Sequence, residues 1–214
     1  MNFQHVPYDN LLSSILKPSK KVKAIIDQVL PDALDHQDVA LVIRTGLGEY
    51  NQFLSPGDEN NFVTCFKNYV KTEKLRKPNV SLKYRVFLAS DNDDVKVNVI
   101  NAMEAFKAAH VDISIEILVL NDSIIHIMHP GSNPHSQHVS NKIRKTFAEF
   151  FIISRCKVLF LTHGSLFGRT ASELGKTSEN NVHFISDSNC DGTREKYSYL
   201  KCHTPKYPKI CGFT

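Results

Sequence analysis

The chain has 214 residues, 42% hydrophobic and 22% charged, so it can bury a core, and disorder, collagen-like repeats and low complexity are excluded as global descriptions. Its 26 Lys and Arg stand against 22 Asp and Glu, and a net charge of +4 spread along the sequence gives no argument for nucleic acid while suiting an anionic small ligand. No window nears the roughly 18 apolar residues of a membrane span, and the start lacks the basic, apolar, small-residue order of a signal peptide, so the chain reads as soluble with no anchor or signal of its own.

Residues 1–36 read as a helical lead-in, two segments broken at Lys17-Pro18-Ser19, with Val22, Ile25, Ile26, Val29 and Leu30 forming a stripe on the second. That stripe packs on the rest of the chain or meets a further domain. The sequence leaves both open. Residues 37–188 alternate short apolar runs with patterns of period 3.6, the mark of strand-helix units building a parallel sheet. Strands are expected over 39–44, 84–90, 115–120, 157–162 and 182–186, as continuous apolar runs covered on both faces. Between them, Phe62, Cys65, Phe66, Tyr69 and Val70 make one helical stripe, and Val99, Ile100, Met103 and Phe106 a second. A third helix spans about 140–154 with Ile143, Phe147, Phe150 and Phe151, and a fourth starts near Ser165 and stops at Gly175 as a left-handed cap. Residues 189–214 form a polar, cysteine-containing tail in which Thr204-Pro205-Lys206-Tyr207-Pro208 favours extended backbone.

Of five cysteines, Cys65 and Cys156 fall in apolar periodic segments and read as buried thiols, whereas Cys190, Cys202 and Cys211 crowd the tail, where a disulfide of open pairing is expected. Two sequons, Asn79-Val80-Ser81 and Asn121-Asp122-Ser123, fall at loop or strand-end positions open to glycosylation in a secretory lumen.

Ligands of an open parallel sheet bind beyond the carboxyl ends of its strands, so those ends carry the chemistry. The first strand ends at Arg44-Thr45-Gly46-Leu47-Gly48, where a guanidinium leaves a buried run beside a glycine-rich turn. Its planar fork suits a diphosphate, and the other reading is an ion pair with Asp91 or Glu49. The second strand ends at Ala89-Ser90-Asp91-Asn92-Asp93-Asp94. These residues cap the next helix, or a carboxylate accepts the N1-H and exocyclic amine of guanine, or Asp91 and Asp93 hold a divalent ion. The fourth strand runs into Thr162-His163-Gly164-Ser165-Leu166-Phe167, a phosphate seat in which Gly164 turns, Ser165 caps and the amides of Leu166 and Phe167 face an anion.

Two better-known motifs fail on spacing. Gly168 and Gly175 enclose six residues where a P-loop needs four, and His163 and Phe167 stand where a nucleophile elbow around Ser165 needs glycines. His126, His129, His135 and His138 share a loop without the spacing of a zinc site, though His126 falls where it could approach the same ligand.

These blocks, in this order, resemble the nucleotide-binding half of fucosyltransferases in the superfamily of plant xyloglucan fucosyltransferases, core alpha-1,6-fucosyltransferases and protein O-fucosyltransferases. Val39-Ala40-Leu41-Val42-Ile43-Arg44 resembles the strand that ends in the donor-binding arginine, Val86-Phe87-Leu88-Ala89-Ser90-Asp91 the strand to a guanine-contacting acid, and residues 150–175 the serine, phenylalanine and glycine turn. The resemblance spans about residues 15–205 and implies a Rossmann-like open parallel sheet with helices on both faces, like the C-terminal half of a GT-B glycosyltransferase. It implies that Arg44, the residue assigned to catalysis, holds the beta-phosphate of GDP-fucose, that Asp91, with Asp93 beside it, reads guanine or ribose, and that Ser165, Leu166 and Phe167 bind the diphosphate, with His126 a further contact.

It also implies a glycan or glycoprotein acceptor, no essential metal, no nucleic acid, an acceptor domain N-terminal to this portion and a place in the Golgi or endoplasmic reticulum lumen. Val42 stands where several relatives have histidine, and Glu49 reads either as a base near an acceptor hydroxyl or as a surface carboxylate. The expected activity is fucose transfer. The competing classes are a non-catalytic nucleotide-sugar or glycan-binding module and a metal-dependent hydrolase using the histidine loop.

Overall fold

The computed structural model describes residues 16–32, 35–45, 57–120 and 137–185, together with Cys190. In chain order these are α1 (Lys20–Val29), β1 (Gln37–Ile43), α2 (Glu59–Arg76), β2 (Leu82–Ser90), α3 (Asp93–Ala108), β3 (Ile113–Val119), α4 (Gln137–Arg155), β4 (Val158–Thr162), α5 (Leu166–Gly175), a 3-10 turn (Glu179–Asn181) and β5 (Val182–Ile185). The five strands pair in parallel in the order β3-β2-β1-β4-β5, which makes the fold a Rossmann-like α/β open sheet.

Strand side chains alternate between two cores. Val39, Leu41 and Ile43 of β1 face the side holding Phe62, Phe66 and Val70 of α2 and Val99, Met103 and Phe106 of α3. Ala40 and Val42 face Ile26 of α1, Ala148 and Ile152 of α4 and Ala171 of α5. Both faces of the sheet are therefore covered, which is why its central strands read as unbroken apolar runs. Within the lead-in, Val22, Ile26 and Leu30 are buried in the second core, so the stripe of α1 packs on the chain itself. A largely buried ion pair secures that docking near the amino ends of β1 and β2. Arg85 of β2 bonds both oxygens of Asp38 on β1, at 2.7 and 3.0 Å, and its Nη1 donates to the Pro31 carbonyl beyond α1.

Two expectations are corrected. Cys65 is not a thiol: it forms a disulfide with Cys190, with Cα atoms 5.0 Å apart, so α2 is tied to the segment that follows β5, while Cys156 is buried and free. The other correction concerns the end of α5. Gly175 is still helical, and the left-handed residue is Lys176, at φ 52°. Position 175 needs glycine for a different reason: a β-carbon there would drive into the Ser154 carbonyl at the end of α4. Gly175→Ala is expected to cost about 3 kcal/mol, because a backbone carbonyl yields far less than a side chain. In thermal unfolding this is a fall in Tm of roughly 10 °C, and an unchanged Tm would mean the two helices do not meet here.

Among the described residues no helix is long and apolar enough to cross a membrane. Cys202, Cys211 and the sequon at Asn121 lie outside the described residues, as does the first lead-in segment up to residue 15.

Candidate functional site

The crossovers from β1 run to β2 on one side and return to β4 on the other, so the switch point lies beyond the carboxyl ends of β1 and β4. Arg44 leaves β1 there and Thr162 ends β4. The Thr162 hydroxyl joins the two ends, accepting from the Arg44 amide at 2.8 Å and donating to the Val42 carbonyl at 3.1 Å. Thr162 is fully buried, so these bonds fix where the backbone of Arg44 emerges.

From that point the Arg44 side chain lies over the ring of Phe167, with its guanidinium carbon 5.2 Å from the ring centroid. Phe167 is itself held edge-on by Phe150 of α4, 5.6 Å away. Arg44 Nε stands 3.8 Å from a carboxylate oxygen of Asp91, and the side chain retains 13% of its exposure. One guanidinium nitrogen, Nη1, is buried without a hydrogen-bond partner. A guanidinium carries five donors, and leaving one unmet in the interior costs about 1–3 kcal/mol, so the site holds donor capacity for an acceptor such as a phosphate oxygen.

Asp91 occupies a different place from an open ligand-reading carboxylate. Its side chain is 2% exposed, and Oδ1 accepts from the amide of Thr45 at 2.8 Å and from its hydroxyl at 3.1 Å. The ion pair with Arg44, one of the two readings of that residue, is present. The rest of the acidic run is a helix start. Asn92 caps α3, accepting from the amides of Asp94 and Val95, while Asp93 is 70% exposed and pairs with Lys96 at 3.0 Å.

Past β4 the chain turns at Gly164, where φ of 80° favours glycine, and enters α5 at Leu166. Ser165 does not cap with its side chain as expected: its hydroxyl makes no capping bond, and its amide donates to the Thr162 carbonyl at 3.1 Å. The first turn of α5 thus presents its amides beside Arg44 with no hydroxyl from Ser165 across them. Leu166 is 71% exposed at this edge.

Glu149 was not singled out from the sequence. It sits on α4, 2% exposed, and its Oε2 is buried without a partner. Burial pushes its carboxyl up to about 8, against the pull of Lys96 and Arg44. Arg44, Lys96 and Glu149 thus form one electrostatic group. Below about 4.5 the carboxyl is neutral in both folded and unfolded chains; from there to about 8 the folded chain keeps a proton that the unfolded chain releases, so stability falls as pH rises. Glu149→Gln is expected to be about as stable as the wild type at pH 5 and more stable at pH 9, by on the order of a few kcal/mol, seen as a higher Tm. Tm profiles that stay parallel across this range would show that Glu149 is not held protonated.

His126, His129 and His135 lie outside the described residues, as do Gly46, Leu47, Gly48 and Glu49, and of His138 only the helical backbone is described. Among the described residues no three His, Cys, Asp or Glu side chains gather as a metal site.

The protein is an α/β open parallel sheet whose switch point brings a partly buried arginine to the start of a helix. No protein-family model matches the chain, and no curated protein matches it. Among solved structures it is similar to a mutant of Arabidopsis thaliana FUT1 in complex with GDP, at 14% identity over 79% of this chain and 33% of that one, with a TM-score of 0.44. It is also similar to NodZ alpha-1,6-fucosyltransferase soaked with GDP-fucose (13% identity, 77% of this chain and 45% of that one, TM-score 0.39) and to fucosyltransferase NodZ from Bradyrhizobium (12%, 76% and 44%, TM-score 0.40). The chain spans about a third of the length of the first and less than half of the other two. Likeness at this level concerns the fold alone.

Proposed function

We propose that the chain is the donor-binding portion of a fucosyltransferase-like glycosyltransferase, which seats GDP-fucose at the switch point and serves transfer of fucose to a glycan or glycoprotein. The observation that carries this is the Arg44 guanidinium, fixed over Phe167 at the start of α5 with Nη1 buried and unmet. In this reading Arg44 bonds the beta-phosphate, and the first-turn amides of Leu166 and Phe167, next to Ser165, take the remaining diphosphate oxygens. As the fucosyl bond breaks, negative charge grows on the departing GDP, so Arg44 and the helix start hold the transition state more tightly than the ground state.

Asp91 acts in this scheme by fixing Thr45 and Arg44, with Asp93 toward solvent. No metal is required, because the guanidinium and the helix start supply the positive field. An acceptor domain outside this chain completes the active centre, and the compartment is the Golgi or endoplasmic reticulum lumen. The Cys65–Cys190 disulfide supports such an oxidising setting.

A second reading, a non-catalytic nucleotide-sugar-binding module, is favoured by one observation: Asp91, the acid just past the end of β2, is engaged within the fold by Thr45 and Arg44. Calorimetric titration with GDP, GDP-fucose, GDP-mannose and UDP tests the donor seat. Selective binding of the guanosine ligands is the expected result, and no binding, or equal binding of UDP, would overturn it. Fucose transfer by the purified chain would then exclude the second reading.

A further inference from the structure

The connection from α2 to β2 lies at the amino edge of the sheet, opposite the switch point, and it holds the first sequon. There the Val80 amide donates to the Lys77 carbonyl at 3.2 Å, closing a turn with Pro78 and exposed Asn79 at its tip. Ser81, two residues on, is also exposed. Lys74 binds the turn to the α3-β3 connection, donating to the Val80 carbonyl at 3.2 Å and pairing with Asp112 at 2.8 Å. Three large apolar side chains flank this junction in the open: Leu75 at 83% exposure, Val80 at 51% and Val111 at 101%. Among the described residues nothing covers them, and they lie at the opposite end of the strands from Arg44.

We infer that Asn79 is an N-glycosylation site and that its glycan stands over the apolar edge formed by Leu75, Val80 and Val111. The inference rests on the lumenal placement proposed above. The co-reactant is a lipid-pyrophosphate-linked oligosaccharide, used by the transferase of the secretory lumen. The side-chain amide nitrogen of Asn79 forms a bond to the anomeric carbon and gives up one proton; the carbon-oxygen bond to the pyrophosphate breaks, and the lipid pyrophosphate leaves with the electron pair. Nothing is oxidised or reduced. The hydroxyl of Ser81 meets the requirement of the third sequon position, and valine between them satisfies the second. A tight turn with an outward asparagine accommodates the sugar without moving a strand, since no described side-chain bond of the fold uses Asn79.

The test is secretion of the full chain from a eukaryotic cell behind a cleavable signal sequence, with Asn121→Gln removing the other sequon. Wild type and Ser81→Thr should each show one glycan-sized downward shift on treatment with peptide N-glycosidase, and Asn79→Gln and Ser81→Ala should show none. The deglycosylated chain and Asn79→Gln should bind an apolar dye more strongly than the glycosylated chain. A secreted chain with the Cys65–Cys190 bond formed and no shift at Asn79 would overturn the inference. Failure of the donor reading would appear separately, in the GDP titration, which a glycan on the opposite edge leaves unchanged.

Discussion

Arg44→Ala is expected to weaken GDP binding by roughly a hundredfold or more, about 3 kcal/mol for the loss of a forked, charge-assisted contact to phosphate. Arg44→Lys keeps the charge but not the fork and should recover only part of the loss. Both variants should fold, because the bonds that shape this corner run through backbone and threonine groups: the Arg44 amide to Thr162, and Thr45 to Asp91. Calorimetry read beside thermal unfolding separates the effects. An Arg44→Ala chain that binds GDP like the wild type would move the phosphate seat away from the switch point altogether.

Breaking the disulfide should give the largest change in stability. Cys65 and Cys190 are separated by 125 positions, so in the unfolded chain the bond closes a loop that holds four of the five strands. In the chain-entropy account a loop of that size contributes about 5 kcal/mol. For a chain of this length the loss is on the order of 10–20 °C in Tm. Cys190→Ser is the cleaner variant, since Cys65 is 2% exposed in the core and a serine there would add the cost of a buried hydroxyl. Equal Tm for wild type and Cys190→Ser in oxidising buffer would rule the bond out.

The strands were legible because both sheet faces are covered: Val39 to Ile43 and Val158 to Leu161 cannot be polar on either side. Arg44 and the Ser165 turn were legible for a positional reason, since polar groups at the carboxyl ends of such strands face the ligand crevice. Pairings across long stretches of sequence were not. Nothing near Cys65 distinguishes a core thiol from half of a disulfide, because its partner arrives only when β5 takes its place at the sheet edge. Glu149 was hidden likewise, as one acid beside an aromatic helix stripe; its burial follows from α4 lying between α1 and α5 on the sheet. Phe147 shows the converse error of periodicity, since it belongs to the expected stripe of α4 yet remains 45% exposed.

The contact of Gly175 with the Ser154 carbonyl bears on how this crevice can diverge. α4 carries Glu149 and α5 begins at Leu166 and Phe167, so backbone-to-backbone contact, with no side chain between, sets the spacing of the two helices at their far ends. Substitution at that contact cannot spread the helices by degrees, as trimming a leucine would, so graded change is left to side-chain pairs nearer the crevice, such as Phe150 on Phe167. In the proposed donor reading, new ligand preferences arise from such pairs and from the connections above the strand ends, while the far ends of the helix pair stay put.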